Sequence, residues 1–194
     1  MRRLVIVLAV SAVVVLTIAS PAFAHVTISP SSAPKSSDAV LSFVVPNEMD
    51  NATTTQVQVQ FPEDNPIPEA LVQAITGWTA TVATASVSPP ISTDDGTFDS
   101  RVSTVTWKAN AGTKGIAVGD FQAFSVSVHL PDADSLTFPT IQTYSNGQQI
   151  KWIEETPPGG AEPENPAPEL TLTAGETTPT TSVSTPTTAS EPIG

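Results

Sequence analysis

The chain has 194 residues, no cysteine, 19 Asp and Glu against seven Lys and Arg, and a formal net charge of −12. The lack of cysteine excludes a disulfide framework, a thiolate metal site and a cysteine nucleophile, so the fold must be held by packing. A chain this acidic does not bind nucleic acid through phosphate neutralisation, which needs Lys and Arg, and it favours attraction of cations.

The first element is a leader. Arg2 and Arg3 precede an apolar run from Leu4 to Ile18, and the small-x-small triplet Ala22-Phe23-Ala24 follows Pro21. A basic start, an apolar stretch and an A-x-A site predict a secretory signal peptide over 1–24. The apolar run is shorter than the ~20 residues that span a bilayer, so no membrane span is expected in the mature chain. Cleavage after Ala24 removes two cations and no acid, leaving a still more acidic protein outside the cytoplasm, secreted or in the cell envelope.

Beyond the leader the pattern is one of short alternating runs. "AVLSFVV" (39–45) and "TQVQVQF" (55–61) come first. In the second, Val57, Val59 and Phe61 face one way and the glutamines the other, the period-two sign of a half-buried strand. "PEALVQAI" (68–75) predicts a helix of about two turns. Strands are then expected over 78–88, 101–109, 121–130, 140–145 and 149–155. Asn146-Gly147 marks a hairpin between the last two, and Asp94-Asp95-Gly96 reads as a turn. At least seven strands and no internal repeat predict an all-β fold, an antiparallel β-sandwich of immunoglobulin-like or cupredoxin-like type. Residues 25–155 are enough for one core. After Glu155 the composition turns to Pro, Thr and Glu without Lys or Arg, so 156–194 is expected to be mostly a disordered tail, either a wall spacer or a plain solvated terminus. Within it "ELTLTA" (169–174) alternates enough to form a last edge strand.

Few residues offer chemistry. There is no G-x-S-x-G elbow, phosphate loop or H-E-x-x-H motif, so no enzymatic activity is expected. Histidine occurs twice. Cleavage after Ala24 makes His25 the N-terminus, where the α-amino group and ring Nδ1 can close a six-membered chelate ring. The amine has a reference pKa of about 7.7–8.0, so protons compete with metal less there than at lysine. Nitrogen donors with added oxygen suit Cu(II). The same position is equally explained by a residue that merely follows the cut. His129 lies on the polar face of 121–130, opposite Phe124, Val126, Val128 and Leu130, and reads as an ordinary strand residue; as a second ligand it would make a two-histidine brace. Glu48 sits in the loop after a strand and offers a hard oxygen. Trp152 reads as core, or as an indole placed beside a metal.

Several stretches together carry a family resemblance: "AHVTISPSSAP", "FVVPNEMDNATTTQVQVQFPE", Gly77-Trp78, "VTWKAN", "VGDFQAFSVSVHLPD", "FPTIQTYSNGQQIKWIEE" and "PAPEL". In this order they resemble the YcnI-like family of bacterial copper-binding proteins. The resemblance implies a β-sandwich with a Cu(II) site, in which His25 supplies its amine and Nδ1, Glu48 supplies oxygen and Trp152 sits against the copper. It also implies copper-transport proteins or cuproenzymes as partners. The chain departs from the family in its Thr/Pro end, where many relatives carry a C-terminal transmembrane helix, and in Thr76, where Pro is common before Gly-Trp. The expected function is an exported copper chaperone or store. The alternatives are a copper-dependent polysaccharide oxygenase, which needs His129 as a further ligand, and an adhesion or structural module without metal.

Overall fold

The computed structural model describes residues 25–157 and 159–175. The leader and the tail from residue 176 lie outside the described residues. Among the described residues twelve strands follow in chain order: β1 (Thr27–Ser29), β2 (Ser32–Pro34), β3 (Asp38–Pro46), β4 (Thr54–Gln60), β5 (Ala70–Val72), β6 (Trp78–Thr93), β7 (Gly96–Ala109), β8 (Phe121–His129), β9 (Ser135–Thr137), β10 (Thr140–Tyr144), β11 (Gln149–Trp152) and β12 (Glu169–Thr173). One sheet has the order β1-β3-β8-β5 and a second the order β11-β10-β4-β7-β6. A small third sheet, β2-β12-β9, joins strands from near the two ends of the described residues.

The alternation in the sequence decides which residues meet between the sheets. Leu41, Phe43 and Val45 of β3 and Phe124, Val126 and Val128 of β8 point inward from the first sheet. Val57 and Val59 of β4 and Val105 and Trp107 of β7 point inward from the second. Aromatic rings bridge the layers: Trp107 lies 6.3 Å from Phe43 and 5.3 Å from Phe124, centroid to centroid. Phe138, at the turn from β9 to β10, packs edge-on against both Phe43 and Phe61 at 5.4 Å. Rings in such geometry add about 0.5–1.5 kcal/mol per pair beyond the area they bury.

Three sequence expectations are corrected. The stretch 68–75 is not a helix; its centre is β5, paired antiparallel with β8 through Ala70↔Val128 and Val72↔Val126. Two turns of isolated helix are unstable in water. The pairing tucks Ala70 and Val72 against the core and leaves Leu71 outside, 75% exposed. Second, β12 is no edge strand: it lies between β2 and β9, parallel to the former and antiparallel to the latter. Third, the folded structure continues past 155 to Thr173, through the strand that the alternation of 169–174 predicts. Pro166 and Pro168 are buried, as are Leu170 and Leu172. Proline brings no N–H to satisfy, so a proline-rich stretch can be covered at little cost once its carbonyls find donors. The Phe138 amide donates to Pro168 O at 2.8 Å.

One glycine is demanded by close approach. Gly115 has φ +72°, and a Cβ there would fall on the Thr54 carbonyl oxygen. That carbonyl accepts from the Ile116 amide, and the Thr54 amide donates to Ile116 O, both at 3.0 Å. Gly115→Ala should therefore destabilise the fold by about 2–4 kcal/mol, from left-handed strain and overpacking. A lower urea midpoint at unchanged slope checks this.

Candidate metal centre

His25 stands two residues ahead of β1. Val26 and Ile28 are buried, which anchors the start of the chain, and β1 pairs with β3 through Thr27↔Val44 and Ile28↔Phe43. Continued backwards, that register brings His25 alongside Pro46, and both line one open cavity of about 750 Å³. Pro46 ends β3 and Asn47 turns the chain. Asn47 is 1% exposed, and its side chain has all its bonds made. Its Nδ2 donates to Ala52 O and Ile116 O at 2.9 Å, and its Oδ1 accepts from the Met49 amide at 3.0 Å. A loop fixed in this way presents Glu48, exposed, at the cavity wall.

Trp152 reaches the same cavity from the second sheet. It ends β11, opposite Thr140 of β10, and is 4% exposed. Its ring centroid lies 5.7 Å from that of His25, with the planes tilted by 58°. The indole N–H donates to Gln142 Oε1 at 3.1 Å. Gln142, fully buried, donates through Nε2 to Pro46 O and to Thr54 Oγ1, both at 2.8 Å. One amide thus ties the end of β3, strand β4 and the indole together.

The cavity is acidic. Among the described residues Glu48, Glu162 and Glu164 line it, and no Lys or Arg does. The His25 Nδ1 lies 3.3 Å from Glu162 Oε1. Tyr144 also lines the cavity; burial, helped by the Glu48 charge, pushes its phenol up to about 12. The folded state thus keeps a proton that the unfolded chain releases near pH 10, so this contribution to stability is present below pH 10 and is lost as pH rises through 12. Tyr144 is the one tyrosine in the chain. An ultraviolet phenol titration should therefore give a single midpoint near 12 in the folded protein and near 10 in denaturant.

The structure therefore brings His25, Glu48 and Trp152 to one place. His129 does not join them: its Nδ1 pairs with Asp38 Oδ1 at 3.0 Å across β3 and β8, and it does not line the cavity. Among the described residues, no three His, Cys, Asp or Glu side chains converge as a preformed metal cluster. Sequence reasoning missed Gln142, Tyr144 and Glu162. The first two had a signal: the period of β10 puts Thr140, Gln142 and Tyr144 on its buried face, where a glutamine must find partners. Glu162 had none, lying in a stretch that reads as tail.

A family model described as a domain of unknown function (DUF1775) matches residues 25–172. The chain belongs to the DUF1775 family. An uncharacterized protein from Nocardia farcinica, whose crystal structure shows an immunoglobulin-like fold, is 37% identical to this DUF1775 chain. The likeness covers 78% of this chain and 99% of that one, with a TM-score of 0.63. A cohesin module from a Clostridium perfringens family 33 glycoside hydrolase is a looser likeness, 9% identical with a TM-score of 0.44, over 78% of this chain and 97% of that one. No curated protein matches the chain. The immunoglobulin-like sandwich is thus the fold of this DUF1775 domain. Among its described residues no helix is long and apolar enough to cross a membrane.

Proposed function

We propose that this protein is exported and binds Cu(II), and that it acts as a copper chaperone or store rather than as an enzyme. The observation that carries the reading is the meeting of His25, Glu48 and Trp152 at one acidic cavity. The donor set fits the metal. Once the leader is cut after Ala24, the His25 amine and Nδ1 offer two nitrogens in one chelate ring, and Glu48 offers a hard oxygen. Mixed nitrogen and oxygen donors favour Cu(II), whereas Cu(I) prefers sulfur. Met49, which also lines the cavity, is the one thioether there among the described residues. The Trp152 indole, held by Gln142, walls the site with an apolar ring and limits the space open to water. Copper-transport proteins or cuproenzymes are the partners this role implies. An oxygenase would need a further nitrogen ligand, and His129 is engaged by Asp38 instead.

The test is a Cu(II) titration of the processed chain, beginning at His25, followed by electron paramagnetic resonance. One tight equivalent with a nitrogen-ligated signal supports the reading. Weak, non-stoichiometric binding overturns it and leaves a sandwich whose ligand is something else.

A further inference from the structure

We propose that Glu162 is a second carboxylate ligand of this centre, carried over it by the segment 159–168. The proposal rests on the Cu(II) reading above and extends it to a residue outside the His25, Glu48 and Trp152 set. Three observations converge on Glu162.

The first is contact. Glu162 Oε1 is the side-chain atom bonded to His25 Nδ1, the ring nitrogen that closes the chelate with the amine. The carboxylate oxygen is 3.3 Å from Nδ1, a separation two ligands of one metal ion can have. The second is the fastening of the segment. The amides of Ile153 and Glu154 both donate to Asn165 O at 3.1 Å, and the Asn165 amide donates to Glu154 Oε2 at 2.7 Å. The Ala167 amide donates to Glu154 O at 2.8 Å, and Pro166 and Pro168 are buried. This fastening begins one residue past Trp152, so the segment is pinned beside the indole while the Glu162 side chain, 62% exposed, reaches His25. The third is charge and donor count. Amine, Nδ1 and one carboxylate leave a divalent ion with a net positive charge and three ligands. A second carboxylate neutralises the ion and completes an N₂O₂ set, the tetragonal arrangement that suits Cu(II). The His25–Glu162 pair adds little to the fold, since exposed pairs contribute about 0–1 kcal/mol, so exchanging it for a metal bond costs little.

The experiment uses the full processed chain beginning at His25, with Glu162→Gln and, as a control, Glu164→Gln, which alters a cavity residue that does not touch His25. In metal-free protein, the ¹⁵N resonance of His25 Nδ1 should shift in Glu162→Gln and stay in Glu164→Gln. In Cu(II) competition titrations, Glu162→Gln should lose about tenfold or more in affinity, the scale on which ligand-sphere changes act, and its paramagnetic resonance parameters should change. Unchanged affinity and spectrum in Glu162→Gln, with wild-type binding tight, would overturn the role of Glu162 and leave the brace standing. Tighter binding in Glu162→Gln would also overturn it, making the carboxylate a competitor for Nδ1. Failure of the wild type to bind one equivalent overturns both proposals.

Discussion

Acetylating the α-amine of His25 in the processed chain is expected to weaken Cu(II) binding by about 10²–10⁴-fold, the range by which joining two weak sites raises affinity. Acetylation turns the α-amine into a neutral amide with no amine beside it to anchor a metal. Nδ1 remains, and so do Glu48 and Trp152, but the chelate ring is gone. The fold should not notice. His25 precedes β1, and the buried anchors are Val26 and Ile28, which keep their places. A denaturation midpoint unchanged between the free and acetylated versions, beside a lost nitrogen-ligated signal in the acetylated one, would establish the terminus as the functional centre. Equal affinity in both would make His25 incidental, a residue that happens to follow the cut.

The second large effect is expected from Gln142→Leu, which keeps the bulk of the side chain and removes its three hydrogen bonds. It leaves the Trp152 N–H, the Pro46 carbonyl and the Thr54 hydroxyl unpaired in the interior. Each orphaned group costs about 1–3 kcal/mol, so a loss of about 3–6 kcal/mol is expected in denaturant unfolding, allowing for partial rescue by rearrangement. The indole would also lose the bond that fixes its tilt against His25. A double-mutant cycle with Trp152→Phe isolates that bond. The two losses should fall short of additive by about 1 kcal/mol, because the second change removes a partner already lost. Strict additivity would mean the indole is held by packing alone.

The fold was legible where side chains alternate. β4 and β8 announce their buried faces residue by residue, and the Asn146-Gly147 turn joins β10 to β11 with Gly147 at φ +83°. The short strands β1, β2 and β9 were not legible, since three residues cannot show a period; their pairing comes from partners far away in sequence. β5 was misread for the same reason: its conformation is set by β8 and not by its own helix-compatible residues. The site was legible in part. His25 is marked by its place after the expected leader and Glu48 by its place after a strand, but their meeting depends on how β1 lies along β3. Glu162 was hidden because proline-rich composition looks alike whether the chain is solvated or pinned by its carbonyls.

The position of β12 also constrains the order of folding. Thr171 pairs with Ser32, and Glu169 with Thr137, so the last strand separates two that are synthesised well before it. Sheets closed by such distant pairings form slowly, because loop-closure entropy must be met before the contacts reward it. A chain still being made has no strand to place between β2 and β9, and Leu170 and Leu172 are missing from its core. The two ends therefore come together last, and a fragment stopping at residue 155 should remain arrested in that incomplete state.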